Sequence, residues 1–463
     1  MAARRTVLAG AAAALLALSV AACTTSAPAP GPTPPQPPLT VSSGTPYTPR
    51  GSDWPQYHRD AARSGLVPGV PAPTRLRSAW TAPLDGAVYA QPLLLHGVIV
   101  AATENDSLYG LSLSTGRVLW RQHVGEPATR ASLPCGDIDP LGITGTPVLD
   151  PSTGLVFAVA ELASRTHELV GVDPATGTVR VRRAVEPPRG RPAASQQRGA
   201  LAVLDGRVLV PFGGLFGDCG DYVGGVVSVP ATGSGPVRAY AVPTAREGGI
   251  WATGGPVVAD GGTILVSVGN GAATGGYDGS DSVLALTPQL TRRDWFAPPE
   301  WAADNRDDLD LGSMTPALVG ADRVLIVGKR GTAYALDRHQ LGQVGGQLAQ
   351  ATLCGAYGTA AVQGRSVYVP CSHALARVDM DPDGTLHPRW QAGFGATGSP
   401  VVGGGAVWAV DYATGVLRAL DPATGRVLAQ ASTGPVPHFV SPVLTGSRVL
   451  VGTSTGVTAF DGG

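Results

Sequence analysis

Cysteine carries the most readable chemistry in this chain of 463 residues, which has five of them. Cys23 ends Val20-Ala21-Ala22-Cys23, after a charged start at Arg4-Arg5 and an apolar run from Val7 to Val20. That order of charged, apolar and small residues before a cysteine reads as a lipobox, whose sulfur takes a lipid once the preceding residues are removed. An ordinary secretory peptide cut after Ala22 is the alternative. Cys135, Cys219, Cys354 and Cys371 are then an even number in an oxidising compartment, which favours two disulfides over metal binding or catalysis. Three pairings are open. Cys354 and Cys371 flank one strand-length excursion, and Cys135 and Cys219 share a context, Pro134-Cys135-Gly136-Asp137 against Asp218-Cys219-Gly220-Asp221, so those two pairs are preferred. The sequence has no C-x-x-C, no C-x-x-C-H haem attachment, no H-E-x-x-H and no phosphate-binding loop. Gly452-Thr453-Ser454-Thr455-Gly456 spells G-x-S-x-G, yet a nucleophile elbow needs a strand-to-helix turn. Here the pentapeptide joins two expected strands, where Gly, Ser and Thr are ordinary hairpin residues.

Other polar residues have a plain structural reading. Asn270 between glycines suits a turn, and Trp251 suits packing between elements. The acidic run from Asp304 to Asp310 suits a solvated loop. Lys329, the sole lysine of the chain, suits an ordinary surface position. Whether they do more depends on the elements that hold them.

Those elements repeat. Proline heads one short apolar strand after another, at Gln91-Pro92-Leu93, Thr146-Pro147-Val148, Gly255-Pro256-Val257, Thr315-Pro316-Ala317, Ser399-Pro400-Val401 and Ser441-Pro442-Val443. Weaker copies around Ala200 and Ala360 fill the large gaps. Proline suits the first residue of a strand because no ladder hydrogen bond is lost there. A spacing of about 40 to 60 residues is the period of a propeller. Asp173-Pro174-Ala175-Thr176-Gly177 and Asp421-Pro422-Ala423-Thr424-Gly425 spell the same turn before a last strand, with Gly at the position needing positive φ. The expectation is all-β: an eight-bladed β-propeller of four-stranded blades, with seven blades as the fallback. The eighth unit ends without room for a fourth strand, and the spare strand Leu76-Arg77-Ser78-Ala79-Trp80 would complete it and close the ring.

Composition agrees, with 64 glycines, 41 prolines and 14% charged residues. The formal net charge of −1 gives no electrostatic case for nucleic acid. Three segments are expected: a lipoprotein signal peptide over residues 1–22, a Pro/Ser/Thr-rich tether over 23–52, and the propeller over 53–463. The place implied is the outer face of a bacterial cytoplasmic membrane, with the Cys23 lipid as anchor and a monomer as the expected state.

The repeat then resembles a known family. Trp408-Ala409-Val410-Asp411, Gly415-Val416-Leu417-Arg418-Ala419-Leu420-Asp421 and Thr424-Gly425-Arg426-Val427-Leu428 look like the pyrroloquinoline-quinone (PQQ)-type propeller repeat. Trp54-Pro55-Gln56-Tyr57-His58-Arg59-Asp60 resembles the opening segment of that superfamily. The resemblance covers roughly residues 53 to 463. Dehydrogenases of this fold hold Ca²⁺ and PQQ at the channel mouth, where an aspartate takes the alcohol proton while hydride moves to the quinone. By this likeness Asn270 and Glu161 would be metal ligands, Trp251 a floor under the cofactor, Lys329 its cationic contact, and Asp308 or Asp310 the base. The chain departs from that pattern in lacking an adjacent cysteine pair and a haem motif.

Two functions follow. One is a lipid-anchored, extracytoplasmic binding or scaffold propeller with an envelope protein partner, similar in repeat and anchor to propeller lipoproteins that assist outer-membrane protein assembly. The other is an alcohol or sugar dehydrogenase with PQQ and Ca²⁺. Convergence of Asn270, Asp308 or Asp310, and Lys329 on one cavity is what separates them.

Overall fold

A computed structural model describes residues 45–462, so the expected signal peptide, Cys23 and most of the expected tether lie outside the described residues. Eight antiparallel blades follow in chain order. Their innermost strands are Leu93–Leu95, Val148–Asp150, Ala202–Leu204, Val257–Val258, Ala317–Val319, Ala361–Gln363, Val401–Gly403 and Val443–Thr445. Six of the eight begin directly after the prolines that mark the repeat, and the third and sixth begin within two residues of the weaker copies. The last blade has three strands from the chain's end, Val443–Thr445, Arg448–Thr453 and Gly456–Asp461. Its fourth comes from the beginning: Arg77–Pro83 pairs antiparallel with Gly456–Asp461, Thr81 opposite Thr458. The chain is an eight-bladed propeller closed by its N-terminal strand.

The inner strands are covered on both faces by neighbouring blades and carry buried Val, Leu, Ile and Ala, as in Val98–Ala102 and Leu155–Glu161. Outer strands such as Val118–His123 are mostly exposed. One exception locks blade to blade. Trp80, Trp120 and Trp390 stand on outer strands and reach the turn of the next blade, where their indole N–H donates to the carbonyls of Leu113, Pro174 and Pro422. Each ring lies against the turn glycine, Gly116, Gly177 or Gly425, whose φ is 70°, 73° and 70°. A Cβ on Gly425 would sit 2.7 Å from the Trp390 ring. The repeated Asp-Pro-Ala-Thr-Gly is thus a turn and a socket at once, and Gly is required for both reasons.

One end of the channel is plugged by residues 54–65. Trp54 bridges to Leu94 of blade 1, the Pro55 carbonyl accepts from Leu149 of blade 2, and the Tyr57 hydroxyl lies 3.2 Å from Thr253. The carbonyls of Ala61, Ser64 and Gly65 accept from Val258, Val362 and Val402 of blades 4, 6 and 7. Arg63, 2% exposed, donates to the carbonyls of Tyr57, Leu201 and Pro256, so its buried charge rests on three carbonyl oxygens. His58, fully buried, bonds to Ser441 of blade 8, and burial lowers its pKa to about 3, leaving a neutral ring. Ahead of the plug, Tyr47 stacks on His96 at 4.3 Å and donates to Asp53 at 2.8 Å. Packing therefore begins inside the segment that composition assigns to the tether. Among the described residues no helix is long and apolar enough to cross a membrane.

Candidate functional site at the propeller mouth

The plug bonds to the innermost strands, as at Leu94, Leu149 and Val402, and to residues just ahead of them, Gln91, Leu201, Pro256 and Ser441. The connectors between blades, with turns inside blades 3 and 5, enclose a cavity of about 360 Å³. Its wall includes Arg198, Trp251, Asp308, Asp310, Lys329 and Phe439.

The acidic run is held there by a short helix, α1, Trp301–Asp307, which follows Pro298-Pro299-Glu300. Asn305 clamps it: its Oδ1 accepts the Gly271 N–H at 2.5 Å, and its Nδ2 donates to the Ala273 carbonyl and to Ser280 Oγ. Asp304 pairs with Arg330, and Asp281 accepts the Leu311 N–H at 2.9 Å. Asp308 ends the helix in the left-handed region. The run is not the solvated loop its composition suggests, because Asp304 and Asp310 are both buried.

Lys329, on the turn between the second and third strands of blade 5, brings the two cavity carboxylates together. Its Nζ lies 2.7 Å from Asp308 Oδ1 and 2.7 Å from Asp310 Oδ2. Burial works against the ammonium charge, but Asp310 and Asp308 outweigh it and hold the lysine pKa above its ordinary value. The other oxygen of Asp310 accepts the backbone N–H of Asn270. Lys329 Nζ is 6.0 Å from the centre of the Trp251 ring. A Cβ on Gly269 would lie 2.8 Å from Asp310 Oδ1 and 3.1 Å from Trp251 Nε1, so this glycine lets the groups close up.

The fold thus brings Trp251, Asn270, Asp308, Asp310 and Lys329 to one place. Glu161 it does not bring. That residue ends the second strand of blade 2, buried, with its carboxylate 3.5 Å from His167 Nε2. Burial disfavours the imidazolium of His167, yet Glu161 and Glu186 outweigh it and raise the pKa to about 9.

Residues without any motif complete the cavity. Phe439, at φ 62°, stacks on Tyr357 at 5.8 Å and lies 6.4 Å from Trp251. The guanidinium of Arg198 sits over the Phe439 and Tyr89 rings at 5.6 and 5.7 Å. Burial and Arg198 push His438 down to about 3. These side chains stand on connectors that vary from blade to blade, so no repeated spelling marks them. Two disulfides frame the mouth: Cys135–Cys219 joins the connector before blade 2 to a turn of blade 3, and Cys354–Cys371 joins a connector to blade 6. Both pairings are those preferred from sequence.

The resemblance implies Ca²⁺ with PQQ, and the donors present do not fit that pair. Ca²⁺ takes six to eight oxygen ligands. Asp310 already has one oxygen on Lys329 and the other on the Asn270 N–H, and Glu161 faces His167 instead of the cavity. Among the described residues no three His, Cys, Asp or Glu side chains are grouped to hold a metal.

Comparison with known proteins gives the same fold from two directions. The sequence family of the outer membrane protein assembly factor BamB matches residues 77–260. The structure is similar to the quinohemoprotein alcohol dehydrogenase of Comamonas testosteroni, at 17% identity and TM-score 0.67, covering 89% of this chain and 80% of that one. It is similar also to the quinohemoprotein alcohol dehydrogenase ADHIIG of Pseudomonas putida HK5, at 14% identity and TM-score 0.70, with the same coverage of 89% and 80%. BamB from Moraxella catarrhalis aligns at 16% identity and TM-score 0.57, over 83% of this chain and 97% of that one. No curated protein matches in sequence. By repeat and ring the chain is an eight-bladed β-propeller, similar in fold to quinohemoprotein alcohol dehydrogenases and to BamB.

Proposed function

We propose that this chain is a non-catalytic binding propeller, lipid-anchored through Cys23 at the outer face of the membrane, with an envelope protein among its partners. The observation that carries the reading is the state of Asp310. Its two oxygens are held by the Lys329 ammonium at 2.7 Å and by the Asn270 N–H, and the same ammonium pairs with Asp308, so a built-in cation stands where a calcium ion would have to pair with these carboxylates. Partial coverage by the BamB family supports a scaffold role without fixing the partner. A second reading, a PQQ- and Ca²⁺-dependent alcohol or sugar dehydrogenase with Asp308 or Asp310 as base, draws on the convergence of Trp251, Asp310 and Lys329.

The deciding experiment titrates the purified protein with PQQ and Ca²⁺ and follows the thermal midpoint, since a ligand that binds only the folded state must raise it. The binding reading expects no Ca²⁺-dependent rise. A rise that disappears in both Asn270→Ala and Lys329→Ala would overturn it in favour of the dehydrogenase.

A further inference from the structure

Arg198 takes the cavity further. It is 7% exposed, lines the cavity, and has its Nη2 buried without an acceptor. No side chain or carbonyl among the described residues accepts from its guanidinium, and Glu104 and Asp137 act on it only through longer-range charge. A guanidinium does not lose its proton in a protein, and a buried charge is paired or costly. Arg63, within the plug, shows the usual remedy for its two amino groups, with three carbonyls in place and only Nε left without a partner. Arg198 has only the faces of Tyr89 and Phe439. The missing acceptor is therefore one that arrives from solvent through the open mouth.

The rest of the wall narrows its chemistry. Phe439, Tyr357 and Trp251 offer aromatic surface. Asp137, Asp218, Asp308 and Asp310 line the same cavity against two cations, Arg198 and Lys329, and Lys329 is already held by Asp308 and Asp310. Arg198 is therefore the one lining cation left for a negative charge, while the surrounding carboxylates repel a polyanion. Resting on the binding reading above, we propose that the cavity takes an organic monocarboxylate with an aromatic body. Its carboxylate bonds to Arg198, its body lies against Phe439 and Tyr357, and Ca²⁺ has no part in it.

The test uses 4-iodobenzoate, with the neutral 4-iodobenzamide and phenyl phosphate as comparisons. Crystals soaked in the iodobenzoate should show anomalous iodine density in the cavity, with the carboxylate on Arg198. Titration calorimetry should give saturable binding that Arg198→Gln weakens about tenfold or more, as loss of a charged hydrogen bond requires. The benzamide should bind much more weakly than the benzoate. Phenyl phosphate binding as tightly as the benzoate would make the site a phosphate-ester site and overturn the carboxylate assignment. Iodine elsewhere, equal binding of the amide, or unchanged affinity in a folded Arg198→Gln would overturn the proposal, and the soak decides even if that variant does not fold. A Ca²⁺-dependent PQQ shift would instead remove the binding reading itself. Absence of both signals would leave that reading standing and remove only the carboxylate.

Discussion

Asp106→Asn should stabilise this propeller at alkaline pH. Asp106 stands in the turn between the second and third strands of blade 1, fully buried, with neither carboxylate oxygen hydrogen-bonded. Burial, then the charges of Glu104, Glu161, Glu126 and Glu168, push its pKa from 3.8 up to about 9. An acid with a raised native pKa keeps, in the folded state, a proton that the unfolded chain has released. Stability therefore falls as pH rises from about 4 to about 9, by about 1.4 kcal/mol per pH unit. Between pH 5 and 9 that is about 5 kcal/mol. Glu104, raised by burial to about 7, adds a decline that ends near neutrality. Asn cannot ionise, and it accepts the positive φ of 51° at this position at least as readily as Asp. With an unfolding entropy of about 2.1 cal/mol/K per residue, about 5 kcal/mol is worth roughly 6 °C in a propeller of this size. Scanning calorimetry from pH 5 to 9 should show the wild-type midpoint dropping with pH, and the Asp106→Asn midpoint dropping by about 6 °C less. Parallel curves, or a variant that melts lower at pH 8, would refute the reasoning.

Gly425→Ala should lose about 1–3 kcal/mol in urea unfolding, because the new methyl meets both a positive φ and the Trp390 ring at 2.7 Å. Gly434→Ala, at φ 72° with open space around it, should lose only the backbone share, and equal losses would show that the indole socket contributes nothing. Cys23→Ala should release the protein from the membrane fraction into the medium, and continued membrane association would end the lipid-anchor proposal.

The ring was legible because its causes are local and recur. A proline at the head of a strand, an Asp-Pro-Ala-Thr-Gly turn and a spare strand ahead of Gln91-Pro92 each state their own geometry, and eight copies correct one another's noise. Even the closure of blade 8 by Arg77–Pro83 follows from counting strands. The plug was less legible. Nothing in Tyr57-His58-Arg59 says that this segment crosses the channel axis, because its partners are carbonyls and hydroxyls scattered over blades separated by hundreds of residues. Tyr47 escaped for a related reason. A Pro- and Ser-rich stretch reads as unpacked until one aromatic finds a histidine on the ring.

At the mouth the sequence could offer candidate residues but not the bonds between them. Asp308, Asp310 and Lys329 line one cavity and the Asn270 N–H bonds to Asp310, but a motif match cannot say which hydrogen bonds a carboxylate has already made. It was equally silent on α1, whose Asn305 fixes the acidic run by bonding to a loop more than thirty residues earlier. Arg198 and Phe439 carry no motif, and the charge of Arg198 matters only because Tyr89 and Phe439 stand where acceptors would be. The contrast with Arg63 is the physical point. Two buried arginines face the channel; the one in the plug has carbonyls built in for its amino groups, and the one lining the mouth cavity does not. A closed end can satisfy a charge from the chain itself, whereas an open end can leave that to a ligand. If the carboxylate binds, the two arginines differ because one is built into the plug and the other faces the open cavity.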